Sequence, residues 1–229
     1  MAVILSIETS TNVCTVALSA EGMVLCHREN FEGRNHAALL SGYIKDCLDW
    51  AADHEMELQA VAVSMGPGSY TGLRIGLSEA KGLAFALDIP LIGVSTLELM
   101  SVSVMFAGDV DPEALFVPMI DARRMEVYTA VYDMALEPVV APRPLILDAE
   151  SYADVEPGRP MLMFGNGSDK AREVITRPDV TFVPDIHPLA VDMVALAERS
   201  YARRQFLDLA YSVPDYLKDF QATKPKRPF

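Results

Sequence analysis

The sequence of 229 residues is poor in cysteine and has no surplus of basic charge. Its three cysteines, Cys14, Cys26 and Cys47, form no C-x-x-C pair, and their odd number is typical of reduced, packed thiols in a cytosolic protein. The formal net charge of −13 argues against independent, salt-driven binding of nucleic acid, because such binding needs a basic face.

Long apolar runs are also missing from the sequence, and none reaches the length that crosses a bilayer. The first ten residues, MAVILSIETS, have no basic segment ahead of their apolar part, which argues against a signal peptide. We therefore expect a cytoplasmic protein with no membrane contact.

Basic residues predominate only at the end of the chain. Beyond residue 217, Asp219 is the single acid among Lys218, Lys224, Lys226 and Arg227. We expect this tail to be solvated and mobile, and the alternative is that it contacts RNA phosphates.

Apolar residues make up 51% of the sequence, which is enough for a sizeable core. Apolar patterning predicts strands at residues 2–8, 14–20, 23–29, 60–65 and 91–95. Helices are predicted at 37–53, 71–87 and 96–106. This order is typical of an α/β protein with a mixed sheet.

Turn-forming residues at 108–114 mark a boundary between an N-terminal part, 1–108, and a C-terminal part, 109–229. The second part is predicted to contain strands within 115–133 and 161–166, a short helix after Gly165-Asn166-Gly167, and a long final helix at 187–206. It therefore repeats the order of the first part loosely.

The glycine-rich stretch at residues 64–87, SMGPGSYTGLRIGLSEAKGLAFAL, begins like a phosphate-binding loop. Its spacing fits neither G-x-x-x-x-G-K-[ST] nor G-x-G-x-x-G. We interpret Gly66 and Gly68 as forming a tight turn between a strand and a helix, with Ser69 or Thr71 as the helix cap. Weak anion binding at the helix N-terminus is the alternative.

Small residues recur at every fourth position of the predicted helix at 71–87, namely Gly72, Gly76, Ala80 and Ala84. Glycine inside a helix costs about 1 kcal/mol relative to alanine, so close approach of another backbone must offset it. The apolar arc spans roughly 220°, wider than the stripe of an ordinary surface helix. The helix is therefore expected to pack on its sheet and against a further helix, either in this chain or in a partner.

Three segments resemble the TsaB (YeaZ) family. They are MGPGSYTGLRIGLSEAKGLA, IETSTNVCTVAL at 7–18 and DARRMEVYTAVYD at 121–133. A shorter match, PDYLK at 214–218, has Lys218 where arginine is expected. The matches lie in the family's order and span most of the chain.

The resemblance implies an actin-like ATPase (ASKHA) fold of two related lobes, with mixed sheets and flanking helices. It implies a non-catalytic, activating subunit that binds the catalytic paralogue TsaD and works with the ATPase TsaE. That assembly places a threonylcarbamoyl group on N6 of the adenosine beside the anticodon, and this chain is expected to meet tRNA only through the complex.

The resemblance further implies that the first two helices of the N-terminal lobe pair with those of TsaD. The residues expected to bind the partner are Leu39, Tyr43, Trp50, Gly72, Leu73, Gly76, Leu77 and Ala80. The same face allows homodimers of the isolated chain.

Catalytic and metal-binding residues are not expected. TsaD holds metal through H-x-x-x-H on the first helix, whereas here His36 is followed by Leu40, which favours a structural role at the start of the helix. No H-E-x-x-H or G-x-S-x-G motif occurs. The competing hypothesis is an ATP-dependent small-molecule kinase or a glycoprotease-like peptidase on the same fold.

Nucleotide-binding features are weak. The turns that follow Glu8 and Asp121 contain no glycine that would let the backbone wrap a phosphate. Gly165 and Gly167 are the best remaining candidates, with an ordinary strand-to-helix turn as the alternative. No tightly bound cofactor is expected, and ATP or ADP would bind only at the level of the complex.

Overall fold

A computed structural model describes residues 2–33, 35–108 and 110–218. Most of the basic tail, residues 219–229, lies outside these ranges, so the prediction that it is mobile concerns residues that the structure does not describe.

The first sheet has five strands: β1 (Ile4–Glu8), β2 (Cys14–Ala20), β3 (Met23–Asn30), β4 (Ala60–Gly66) and β5 (Leu91–Ser95). Their spatial order is β3-β2-β1-β4-β5. The β1–β2 and β2–β3 pairs are antiparallel, and the β1–β4 and β4–β5 pairs are parallel. Each of these strands lies within about two residues of its predicted position.

The second sheet also has five strands: β6 (Leu115–Asp121), β7 (Glu126–Tyr132), β8 (Pro138–Ile146), β9 (Met161–Phe164) and β10 (Val180–Val183). Their spatial order is β10-β9-β6-β7-β8. In both sheets the first strand is central, antiparallel to the second and parallel to the fourth. This shared connectivity confirms an α/β fold with two related mixed sheets.

In the described ranges five α-helices flank the sheets: α1 (His36–Asp53), α2 (Tyr70–Leu87), α3 (Thr96–Phe106), α4 (Ser168–Arg172) and α5 (Val194–Ala202). The buried sides of α1 and α2 cover one face of the first sheet. The opposite face is covered by α3 and α5, and α3 also packs on the second sheet, so it lies between the two.

The end of the chain returns to the first sheet. Met193, Leu196 and Ala197 share a buried cluster with Ile4 and Ile92. Residues 190–202 therefore follow the second sheet in sequence and pack on the first. The division into 1–108 and 109–229 stays a prediction.

Two details of the second half differ from prediction. The final helix, predicted at 187–206, consists of a 3-10 turn at Ala190–Met193 followed by the shorter α5. It ends early because Arg204 adopts a left-handed backbone with φ of 55°. Strands β8 and β10 were not predicted, and both lie at sheet edges.

Candidate functional site

Backbone N–H groups in and after the turn between β4 and α2 donate hydrogen bonds within this chain. The hydroxyl of Ser69 caps α2 by accepting from the N–H of Gly72 at 3.2 Å. The N–H of Ser69 donates to the carbonyl of Ser10 at 2.6 Å. The predicted turn and the Ser69 cap are confirmed, and these donors at the start of α2 are engaged by the chain itself.

The stripe of small residues on α2 faces the inside of the molecule. A Cβ atom on Gly72 would lie 2.1 Å from the backbone oxygen of Thr9, and one on Gly76 would lie 2.3 Å from the Thr9 hydroxyl. That hydroxyl donates to the Gly72 carbonyl at 2.8 Å. Ala80 and Ala84 are fully buried. The stripe therefore lets α2 approach the β1–β2 turn and its own sheet.

The five predicted partner residues on α2 are buried within this chain: Gly72, Leu73, Gly76, Leu77 and Ala80. Partner binding by these residues stays a prediction. On α1 the structure places Leu39, Tyr43 and Trp50 at intermediate exposure. Trp50 stacks on His54 with ring centroids 3.8 Å apart.

An open groove lies on the outer side of the same two helices. It measures about 860 Å³ and is lined mainly by apolar atoms from Ala37, Ile44, Tyr70, Thr71, Arg74, Ile75, Ser78, Glu79, Gly82 and Leu83. A Cβ atom on Gly82 would meet no atom of the described part of the chain within 4 Å. We call this feature the α1–α2 groove. Its sequence signal is the second apolar side of the wide arc on α2, which carries Ile75 and Gly82.

One end of the groove is bounded by a cluster of aromatic rings and an arginine. Arg74 donates from Nε to the Tyr216 hydroxyl at 2.9 Å, and its guanidinium carbon lies 4.3 Å from the centre of the Tyr70 ring. Lys81 donates to the carbonyl of Ser212 at 2.7 Å. The last described segment of the chain is thereby held along α2.

A buried acid lies at the end of β1. Glu8 has no exposed surface, and its Oε1 accepts from the N–H of Ser10 at 2.5 Å. Among the residues that the structure describes, Oε2 of Glu8 has no hydrogen-bond partner, and neither do the buried hydroxyl oxygens of Ser6, Ser10 and Ser64. Burial raises the pKa of Glu8 to about 7, against the opposing effect of the nearby hydroxyls and the Ser10 N–H.

The corresponding acid at the end of β6 is in a different state. Asp121 is exposed and forms an ion pair with Lys170. Its N–H donates to the side chain of Asn166 at 2.8 Å. The acid in the first sheet, Glu8, is therefore buried, whereas the acid in the second sheet, Asp121, is exposed and paired with a lysine.

The glycines beside Asn166 pack closely against their own chain. A Cβ atom on Gly165 would lie 2.4 Å from the carbonyl oxygen of Met119, and one on Gly167 would lie 2.8 Å from Val127. Asn166 also lines a cavity of about 210 Å³ with Thr11, Asn12, Val13, Phe31 and His187. Nucleotide binding by Gly165 and Gly167 stays a prediction.

His36 is the first residue of α1, as predicted, and it is buried. Its Nε2 lies 2.8 Å from the carbonyl oxygen of Thr11, which ties the helix to the β1–β2 turn.

Within the ranges that the structure describes, no three His, Cys, Asp or Glu side chains are grouped to hold a metal ion. None of the helices in those ranges is long and apolar enough to span a membrane.

Sequence relatives agree with this architecture. A family model described as "TsaD: tRNA N6-adenosine threonylcarbamoyltransferase" matches residues 30–227. The tRNA threonylcarbamoyladenosine biosynthesis protein TsaB of Bacillus subtilis is 30% identical, with 94% of this chain and 93% of that protein covered. TsaB of Escherichia coli is 39% identical, over 56% of this chain and 54% of that protein.

Solved structures show the same relationship. YeaZ from Pseudomonas aeruginosa has a TM-score of 0.78 and 29% identity, covering 95% of this chain and all of that chain. The ethanolamine utilization protein EutJ of Carboxydothermus hydrogenoformans has a TM-score of 0.51 at 10% identity, covering 84% of this chain and 88% of that chain. That likeness concerns the fold alone, which is of the actin-like (ASKHA) class. The chain belongs to the TsaB (YeaZ) family.

Proposed function

We propose that this chain is a non-catalytic subunit of the cytoplasmic machinery that makes N6-threonylcarbamoyladenosine in tRNA. It docks a TsaD-like catalytic subunit in the α1–α2 groove. A TsaE-like ATPase and the tRNA join through the complex, and the isolated chain is able to self-pair through the same groove. The observation that carries the proposal is the open, mainly apolar groove between two helices that are otherwise anchored on their sheet.

The relatedness of the two proteins supports this mode of docking. The TsaD family model matches 198 of the 229 positions, counted from 30 to 227. Related chains carry related helix pairs, and two such pairs can meet about an approximate twofold axis, as the identical surfaces of homodimers do. The groove is lined by apolar Ile75 and Leu83 together with charged Arg74 and Glu79. Specific interfaces combine apolar and polar side chains in this way.

The burial of Glu8 supports a non-catalytic role. An acid that acts on a bound phosphate must reach it, whereas this carboxyl lies beneath the β1–β2 turn with no exposed surface. The kinase alternative is tested by calorimetry of the isolated chain with ATP and magnesium. Tight binding would favour that alternative.

Gly82→Trp tests the docking surface. The Cβ of the new side chain meets no described atom of this chain within 4 Å, and the indole ring enters the groove, so the fold is expected to be retained. Binding of the purified TsaD-like subunit, measured by calorimetry, is expected to weaken at least about tenfold, which corresponds to about 1.4 kcal/mol.

Gly42→Trp is the matched control. Gly42 is also an exposed glycine inside a helix, its Cβ would also meet nothing within 4 Å, and it does not line the groove. It is expected to bind the partner normally. Loss of binding in Gly42→Trp but not in Gly82→Trp would move the docking surface to the neighbouring Tyr43 side of α1.

The pathway itself is tested separately from the surface. Depletion of this protein is expected to lower threonylcarbamoyladenosine in tRNA nucleosides, measured by mass spectrometry. Re-expression of Gly42→Trp is expected to restore it, and re-expression of Gly82→Trp is not. Unchanged nucleoside levels after depletion would remove the pathway claim whatever the binding data show.

A further inference from the structure

Two of the three cysteines meet at the junction of an edge strand and a helix. Cys26 lies on β3, and Cys47 lies on the side of α1 that faces the first sheet. Their sulfur atoms are 3.6 Å apart, with the Cys47 thiol directed at the Cys26 sulfur. Both side chains belong to the buried core, but Cys26 keeps 8% of its surface exposed whereas Cys47 keeps none.

The two thiols have different surroundings. The guanidinium of Arg28 lies 3.8 Å from the Cys26 sulfur and is held there by Asp46 at 2.8 Å and by the carbonyl of His27 at 2.8 Å. This arrangement places a cation directly beside the Cys26 sulfur. Burial, together with the neighbouring Cys26, raises the pKa of Cys47 to about 12, so that this thiol stays protonated.

This asymmetry is typical of a redox dithiol. Cys26 keeps a small exposed surface and has a positive charge beside its sulfur, whereas Cys47 is fully buried and lies within reach of Cys26. Cys14 has no comparable arrangement, because it is buried in β2 and burial raises its pKa to about 11.

We propose that Cys26 and Cys47 are a modification site that a peroxide oxidises to an intramolecular disulfide. The Cys26 thiol loses its proton to water, and the thiolate attacks the hydroxyl oxygen of the peroxide, so that an S–O bond forms and the O–O bond breaks. The product is a sulfenic acid, and the other oxygen takes up a proton from water and leaves as an alcohol or as water. The Cys47 sulfur then attacks the Cys26 sulfur, the S–O bond breaks, and the hydroxyl leaves as water with the Cys47 proton. Two thiols lose two electrons in total, and the peroxide gains them.

The disulfide joins α1 to the edge strand across 21 positions of sequence. Helix α1 forms one wall of the α1–α2 groove, so oxidation fixes that wall covalently to the first sheet. The proposal does not rest on the proposed function, because it concerns two sulfur atoms on the sheet side of α1.

The test treats the full-length, folded protein with hydrogen peroxide, removes the peroxide, and then unfolds the protein in denaturant that contains N-ethylmaleimide, so that every thiol that is still free, buried Cys14 included, is alkylated. We expect a monomer in which only Cys14 is alkylated, a mass loss of two hydrogen atoms before alkylation, and a crosslinked peptide pair containing Cys26 and Cys47. A dithiol reductant is expected to restore alkylation of both cysteines. Cys14→Ser, the matched control, is expected to form the same link.

Cys26→Ser and Cys47→Ser are expected to form no intramolecular link, and Cys47→Ala keeps the buried site apolar if the serine variant fails to fold. Arg28→Met is expected to slow modification of Cys26 several-fold. The proposal is overturned if the folded protein forms only disulfides between chains. It is equally overturned if Cys26 proceeds to sulfinic acid without a link, or if the link appears only after denaturation.

Discussion

Gly72→Ala is expected to lower the free energy of unfolding by about 3 kcal/mol or more, the upper range for overpacking a rigid core. The added carbon would lie 2.1 Å from the backbone oxygen of Thr9 and 3.3 Å from the ring of His36. A backbone oxygen cannot rotate away as a side chain can. Either the β1–β2 turn or the first turn of α2 must therefore move. Urea denaturation of the purified variant measures the loss.

Gly82→Ala is the control for this substitution. It makes the same chemical change on the same helix, where the new Cβ meets nothing within 4 Å. It is expected to raise the free energy of unfolding by about 1 kcal/mol, because alanine favours a helix over glycine. Equal stability of the two variants would mean that the β1–β2 turn moves readily and that the close contact at Gly72 is not a rigid constraint.

The stability of the wild-type protein is expected to fall as the pH rises from about 5 to about 7. Burial raises the pKa of Glu8 from its ordinary value of 4.5 to about 7. Between these values the folded chain holds a proton that the unfolded chain has lost, so raising the pH favours unfolding. Each pH unit between the two pKa values lowers the free energy of unfolding by about 1.4 kcal/mol. Once the pH is above both pKa values, the total loss is about 3 kcal/mol.

Glu8→Gln is the variant that isolates this effect. The amide is uncharged at every pH, so the decline between pH 5 and 7 is expected to flatten when urea denaturation is repeated across that range. Arg177 lowers the pKa of Asp179, so the stabilisation from that pair is lost only in more acidic solution and does not overlap the window. A variant that keeps the wild-type slope would show that another group causes it.

The first sheet was predictable because its strands carry clear local signals. Strands β2 and β5 have their predicted bounds, since each is an apolar run bounded by turn residues. Strand β8 was missed because Pro138, Pro142 and Pro144 argue against a strand. The sheet tolerates them because β8 is an edge strand. Strand β10 is four residues long, too short to show a period.

The candidate site was less predictable, because α2 has two apolar sides. One carries Gly72, Gly76 and Ala80, and the other carries Ile75 and Gly82. Periodicity predicts the helix but does not say which side faces the sheet. Contact with Thr9, 63 positions before Gly72, decides it. A close approach over that distance in sequence leaves no local signal.

Residues 190–215 pack on the first sheet, so this sheet is completed late during synthesis on the ribosome. The N–H of Leu207 donates to the carbonyl of Leu91, and that of Asp215 donates to the carbonyl of Met65. Helix α5 completes the buried cluster that begins at Ala2 and Ile4. The first sheet therefore stays partly uncovered until residues 190–215 have left the exit tunnel. Stop codons or proteolytic cuts that remove these residues are thus expected to destabilise the first sheet most, although it is synthesised first.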